Sequence, residues 1–345
     1  MKILIVKLGA IGDIVHTLPA LKAIRAAIPG AEISWVAEKR SAEILRGNIL
    51  IDRLIEVDTR TLRAGMTVPE MLGEIRRQAS DLRKFGFDIA IDFQGLLKSA
   101  MIARISGAKM RYGFSKDSLR EPASRIFYNG TAAVPPESHV IRKNLNLAAQ
   151  VLNISTPDSA FEFPIFTSDE HKREAASIAE IAGGDFVILN PAGGWTTKLW
   201  PPERFGELAD MIWKKHGLAA IITSGPNEAG LAETALGKSN SPKTISAEPT
   251  LKGFVELAKL SKGYIGGDTG PTHLAIAAGT PVAGLFGPTE WWRNGSTNPA
   301  DICVERIDIG CRTACHRRAC SNWICMDISA ETVLSAVTQI LSAPR

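Results

Sequence analysis

Gly266-Gly-Asp-Thr-Gly-Pro-Thr-His273 gathers a carboxylate, an imidazole, two hydroxyls and bare glycine amides where an apolar strand run ends and a short helix begins. A helix start presents unpaired N–H groups and a partial positive charge, so it suits a phosphate without a metal. An ordinary strand-to-helix turn explains the glycines but not Asp268, Thr269 and His273 together. His273 reads either as a phosphate ligand or as a helix cap. Two more loops hold comparable chemistry. In Asn190-Pro-Ala-Gly-Gly-Trp-Thr-Thr-Lys198, backbone amides, the hydroxyls of Thr196 and Thr197 and the Lys198 ammonium offer a way to hold a diphosphate. The alternative is a flexible surface lysine. In Gly9-Ala-Ile-Gly12-Asp13 a carboxylate stands at a helix start, as an N-cap or as a general base toward a hydroxyl nucleophile.

These loops need elements to carry them. Ile3 to Val6 reads as a short buried strand, and Ile14, Leu18, Leu21 and Ile24 then recur at helical spacing. Pro19 interrupts that helix, which predicts a kink or a fresh start beside it. Further strands are expected at 32–36, 53–57 and 88–92, between helical or polar stretches. A helix over 144–152 and a linker over 153–164 follow. The alternation then restarts, with helices expected at 171–182, 202–216, 227–236 and 251–260 and strands at 186–190, 219–223 and 263–266. A last helix over 329–341 has Ser329 as its N-cap. This pattern predicts an α/β chain with two doubly wound parallel-sheet domains, each binding ligand beyond the carboxyl ends of its strands.

At 345 residues the chain suits two domains, each large enough for its own core. No apolar run reaches the length of a membrane span, and Met1 to Lys7 is too short for a signal peptide, so a cytoplasmic protein is expected. The net charge of +4 hides an asymmetry: residues 1–150 hold 23 Lys+Arg against 15 Asp+Glu, or +8, and the remainder hold 17 against 21, or −4. Arginines and lysines at 60, 63, 76, 77, 83, 84, 109, 111, 120 and 125 would suit an anionic partner, although those at 76, 77, 83 and 84 read better as a solvated helix face. Aromatic residues make up 6% of the chain and no recognition motif accompanies the charge, which argues against nucleic acid. The first loop is Gly-x-x-Gly rather than Gly-x-Gly-x-x-Gly and no P-loop occurs, which weakens classical dinucleotide and P-loop readings. Cys311, Cys315, Cys320 and Cys325 lack the tight Cys-x-x-Cys pairs of common zinc knuckles; free thiols, disulfides and a structural metal all stay open.

In this order the three loops resemble those of the heptosyltransferases of lipopolysaccharide core synthesis, glycosyltransferase family 9, which have the two-domain GT-B fold. The likeness runs over nearly the whole chain, through Val6 to Leu21, Asp92-Phe-Gln-Gly-Leu-Leu-Lys-Ser99, Arg120 to Asn129, Lys198-Leu-Trp-Pro201 and Gly267 to His273. The Asp92 and Arg120 segments look most like the branch that places the first heptose on the Kdo sugar of the inner core. The resemblance implies inverting, metal-independent transfer from ADP-L-glycero-D-manno-heptose, a substrate and not a cofactor, to the Kdo of Kdo2-lipid A. It implies no other cofactor, and a peripheral position at the inner face of the cytoplasmic membrane.

On that resemblance residues 1–160 form an acceptor domain, 161–328 a donor domain facing it across a cleft, and 329–345 a helix packing back on the first domain. Asp13 becomes the base on the Kdo hydroxyl, and Lys198, with Thr196 and Thr197, meets the donor diphosphate. Thr269, Gly270 and His273 would join it there, while Asp268 contacts heptose hydroxyls and Glu228 the ribose. Lys7, Gly12, Arg60, Arg63 and Arg120 meet the acceptor. Gly193 and Gly194 depart from the pattern, because some relatives carry hydroxyl residues there; amides or Thr196 and Thr197 would compensate. Competing readings are heptosyltransferase II or another sugar transferase of this fold, and a non-catalytic protein binding nucleotide or anionic lipid.

Overall fold

The computed structural model describes residues 1–58, 70, 80–135, 137–311 and 315–343. Arg60 and Arg63, expected at the acceptor, lie outside these residues, as do Arg76 and Arg77. The chain divides into two compact units, Met1–Phe166 and Thr167–Arg345.

In the first unit, β1 (Lys2–Val6) is followed by α1 (Ile11–Val15) and α2 (Leu18–Ala27), then β2 (Glu32–Glu38) and β3 (Arg53–Val57). Pro19 lies in the first turn of α2, where its missing N–H costs nothing, and so the helical run of the sequence splits into two. β4 (Ile89–Asp92), α3 (Leu97–Ile105), β5 (Met110–Phe114), β6 (Gly130–Ala132) and α4 (Val140–Leu152) complete the unit. The described strands pair in parallel in the order β3-β2-β1-β4-β5-β6. Leu4, Val6, Val36 and Ala90 from the central strands are buried against Leu82, Phe87, Ile102 and Ala103. Residues 153–164, read as a linker, return onto their own unit: Asn48 donates to the Pro164 carbonyl at 2.8 Å, and Lys22 pairs with Glu162 at 3.1 Å.

The second unit runs through α5 (Asp169–Ala182), β7 (Phe186–Asn190), α6 (Pro202–His216), β8 (Ala219–Thr223), α7 (Ala229–Lys238), β9 (Thr244–Ala247), α8 (Leu251–Leu260) and β10 (Tyr264–Gly267). α9 (Gly270–Ala277), β11 (Val282–Phe286), α10 (Trp291–Asn294), β12 (Ile302–Glu305) and α11 (Ala330–Ser342) follow. Its parallel order is β12-β11-β10-β7-β8-β9, the first unit's order repeated. In both sheets the order reverses beside the first strand, between β1 and β4 and between β7 and β10. Ligands of such sheets bind at that reversal, outside the carboxyl ends of the strands.

The apolar face of α11 packs within its own unit: Val333, Ala336, Val337 and Ile340 are buried with Leu208, Ile212 and Leu285 in the core of the second unit. Their spacing makes one apolar stripe, and α6 and β11 cover it. Ser329 caps the helix as expected, accepting from the Thr332 N–H at 3.2 Å.

Candidate active site

In the first unit the loops after β1 and β4 meet at the reversal. Gln94 joins them: its Oε1 accepts from the backbone N–H groups of Leu8 and Gly9 at 3.1 and 3.3 Å, and its Nε2 stands 3.4 Å from Asp13 Oδ2. Asp13 is in the first turn of α1, and the same Oδ2 accepts from the Ala10 N–H at 3.2 Å. Asp13 therefore does serve its helix start, but through one oxygen. Oδ1 lies 3.9 Å from Lys7 Nζ, beyond hydrogen-bond distance, and the side chain is 36% exposed.

Lys7, expected at the acceptor, is buried and donates to the Phe93 carbonyl at 2.9 Å. Its charge stands behind Asp13. Gly12 is buried within α1, and Arg120 is exposed beside the β4 loop, where the Glu121 N–H donates to the Gly95 carbonyl at 3.3 Å.

Asp92 anchors Gln94 from below. Fully buried, it accepts from the Ser99 and Tyr128 hydroxyls, both at 2.7 Å, and from the Gln94 and Gly95 N–H groups at 2.8 and 3.2 Å. Burial pushes its carboxyl up, against those four donors, and burial beside Asp92 pushes the Tyr128 phenol up as well. Gln94 was not singled out as functional in the sequence. Its signal was there, in a glutamine two residues past a strand-ending aspartate.

In the second unit the loops after β7 and β10 meet in the same way. Lys198 Nζ donates to Asp268 Oδ2 at 2.6 Å and to the Asp268 carbonyl at 3.0 Å, and His273 Nε2 is 3.2 Å from Asp268 Oδ1. Lys198 is no flexible surface lysine: its side chain is 11% exposed, Asp268's is 4%, and Nζ lies 4.0 Å from the centre of the Trp195 ring. Burial alone would raise the Asp268 carboxyl. The His273 hydrogen bond and the charge and hydrogen bond of Lys198 outweigh burial and hold it far below the ordinary carboxylate range.

Both Asp268 oxygens are thus occupied, and Asn294 Nδ2 stands 3.4 Å from Oδ2 as well. Asp268, expected against heptose hydroxyls, holds Lys198 and His273 in place. His273 does not cap α9; Thr269 is the N-cap residue, and the imidazole turns to Asp268. Gly270 and Thr272 supply first-turn amides, whereas Pro271 between them has none. The Thr272 hydroxyl donates to the Gly267 carbonyl and lies 3.4 Å from that of Thr269, which closes the turn.

The Thr197 hydroxyl is also committed, donating to the Arg317 carbonyl at 2.6 Å, while Thr196 is exposed. A Cβ at Gly193 would stand 2.7 Å from the tip of the Leu199 side chain, which would have to shift, whereas Gly194 borders open space with room for a hydroxyl residue. Glu228 starts α7 and accepts from the Gly225 N–H at 3.1 Å through Oε2; burial raises its carboxyl. Trp195 and Asn294 were not anticipated. The buried indole N–H of Trp195 has no partner among the described residues, and such a donor is one an anion would satisfy.

Residues 75–324 match the profile of glycosyltransferase family 9 (heptosyltransferase). Lipopolysaccharide heptosyltransferase 1 of Pseudomonas aeruginosa is 30% identical over 93% of this chain and 88% of its own length. That of Escherichia coli K12 is 27% identical over 84% of this chain and 89% of its own. The solved structure of E. coli heptosyltransferase WaaC with ADP superposes with a TM-score of 0.79 at 25% identity, covering 99% of this chain and all of that one.

Proposed function

The chain belongs to glycosyltransferase family 9, the heptosyltransferases, and from that premise we propose that it is a lipopolysaccharide heptosyltransferase I, moving L-glycero-D-manno-heptose from ADP-heptose to the Kdo of Kdo2-lipid A. The observation that carries the donor half is the Lys198, Asp268 and His273 cluster beside the N-terminus of α9. A relative of the same fold was solved with ADP and another time with ADP-2-deoxy-2-fluoro heptose, which supports a nucleotide-heptose donor.

An ammonium has three N–H groups. Asp268 takes two from Lys198, and the third goes to a diphosphate oxygen, together with the amides of Gly270 and Thr272 and the indole N–H of Trp195. As the bond from the anomeric carbon to the diphosphate oxygen breaks, negative charge grows on ADP. Fixed donors then stabilise the transition state more than the bound donor sugar, which is what accelerates transfer. Glu228 accepts from the ribose hydroxyls.

On the acceptor side Asp13 takes the proton from the attacking Kdo hydroxyl, and that oxygen forms the new bond to the anomeric carbon on the face opposite the departing ADP, inverting it. Gln94 and the Ala10 amide hold Oδ2, leaving Oδ1 as the proton acceptor. Arg120 meets acceptor carboxylate or phosphate. No metal takes part in the transfer. Among the described residues no helix is long and apolar enough to cross a membrane, and the acceptor's lipid brings the protein to the inner membrane face.

The test is ADP release from ADP-heptose, with and without Kdo2-lipid A, after brief EDTA treatment. Acceptor-dependent release that survives EDTA supports the reading. Release with a core acceptor already carrying heptose, and none with Kdo2-lipid A, would move the assignment to another member of the family.

A further inference from the structure

Charge around the donor loop of the second unit is only partly matched. The Lys198 ammonium is paired with Asp268 at 2.6 Å, so the two together carry no net charge. Trp195 brings a second cation to the same place: its ring centre lies 4.0 Å from Lys198 Nζ and 5.1 Å from the guanidinium carbon of Arg318. Arg318 has no carboxylate partner among the described residues.

The main chain fixes where Arg318 starts. Residues 315–323 contain neither helix nor strand, yet the two residues before Arg318 are both tied down. The His316 N–H donates to the Pro288 carbonyl at 2.9 Å, and the Arg317 carbonyl accepts from the Thr197 hydroxyl at 2.6 Å. Trp323 Nε1 adds a bond to the Thr197 carbonyl at 3.1 Å. Lys198 is the next residue. From that anchor the Arg318 side chain reaches the Trp195 ring, a cation–π contact that orients an otherwise flexible group.

Lys198, Arg318 and the Trp195 indole all donate, and none of the three carries an acceptor. The indole N–H is buried without a partner among the described residues. Donors gathered in this way suit an anion rich in oxygen, and a planar guanidinium meets two phosphate oxygens at once. Gly193 and Gly194, in the same loop, bring no side-chain donor. Sugar transfer adds a further demand. As the bond to the anomeric carbon breaks, its electron pair stays on the diphosphate oxygen and ADP gains one negative charge. The Lys198 and Asp268 pair, neutral overall, meets that charge as a dipole, whereas Arg318 brings a whole positive charge.

We propose that Arg318 is a donor-binding residue that grips the diphosphate of the nucleotide sugar from the side of Trp195. It supplies the positive charge that Lys198, tied to Asp268, does not. The proposal rests on reading the Lys198 cluster as a nucleotide-heptose site.

The experiment is calorimetric titration of the full chain with ADP and with adenosine, for the unaltered protein, Arg318→Ala, Arg318→Gln and Lys214→Ala. The last removes the same charge near the C-terminal end of α6, where the side chain is exposed. ADP binding should weaken about tenfold in both Arg318 variants and keep its strength in Lys214→Ala. Adenosine, which offers no phosphate, should bind all four alike. ADP affinity should also fall more steeply with added salt in the unaltered protein than in Arg318→Ala. Equal ADP affinity in the unaltered protein and the Arg318 variants overturns the proposal and leaves the donor site standing. A loss shared by ADP and adenosine, which marks a collapsed loop, overturns it too, as does a loss matched by Lys214→Ala, which marks bulk charge. An unaltered chain that binds neither ligand removes the donor site itself, and this proposal with it.

Discussion

Lys198 and Asp268, seventy residues apart, are joined twice, through the carboxylate at 2.6 Å and through the main-chain carbonyl at 3.0 Å. The double contact fixes where the ammonium stands as well as that it is paired. An exposed pair would contribute little, but this one is almost wholly out of water, so losing either partner strands a charge.

Asp268→Ala is therefore expected to destabilise the second unit by about 3 kcal/mol and to weaken ADP binding at least about tenfold. Lys198→Ala/Asp268→Ala should cost less stability than the two single changes added, because the double variant leaves no buried charge. Urea denaturation and ADP titration of the three variants measure this. Strict additivity would mean that the two side chains do not interact in solution.

The same pair sets a pH dependence. The folded Asp268 carboxyl is held far below its ordinary value, while in the unfolded chain it titrates near about 3.9. Its contribution is full above that unfolded value and drains away as pH falls toward the folded one. The stability gap between the wild-type chain and Asp268→Asn should thus be widest near neutrality and shrink with acidification. A gap that stays constant down to acid pH would show that the carboxyl is not held low.

Asp13→Ala should lower kcat by a factor of about 10² to 10⁴ with ADP affinity unchanged, since a general base acts on the acceptor proton alone. Normal turnover in this variant would remove Asp13 from the mechanism.

Gln94 is a positioning residue, holding Asp13 and the Leu8 and Gly9 amides. Gln94→Ala should reduce kcat by about tenfold with donor KM unchanged. Gln94→Glu places a second carboxylate beside Asp13 and should shift the acidic limb of the kcat profile, where activity rises as the base ionises, to higher pH, because like charges disfavour ionisation. A donor KM effect without a pH shift would instead point to collapse of the loop.

Burial raises the Glu228 carboxyl. If its ionised form accepts from the donor ribose, donor KM should fall as pH rises through the range above that of an ordinary glutamate, and Glu228→Gln should flatten this limb. Identical profiles for the two proteins would remove the ribose contact.

Much of this was legible along the chain because periodic elements are local. Three or four apolar residues in a row, bounded by glycine or proline, mark Phe186–Asn190 and Ala219–Thr223 as buried strands, and the stripe through Val333 to Ile340 marks a helix with one covered face. The loops after β1, β7 and β10 stood out for the same reason, as polar clusters breaking apolar patterns. Spacing cannot say which surface covers an apolar stripe; the fold of the second unit lays that of α11 on α6 and β11.

Which partners the side chains find was decided by strand order. Because the sheets run β3-β2-β1-β4 and β8-β7-β10-β11, the loop after β1 lies next to that after β4, and the loop after β7 next to that after β10. Only that adjacency brings Gln94 to Asp13 and Asp268 to Lys198, and it gives Lys7 and Asp268 partners within the protein that spacing does not show. The residue types that do the chemistry are written in the sequence; their pairing belongs to the crossover connections, which no local pattern records.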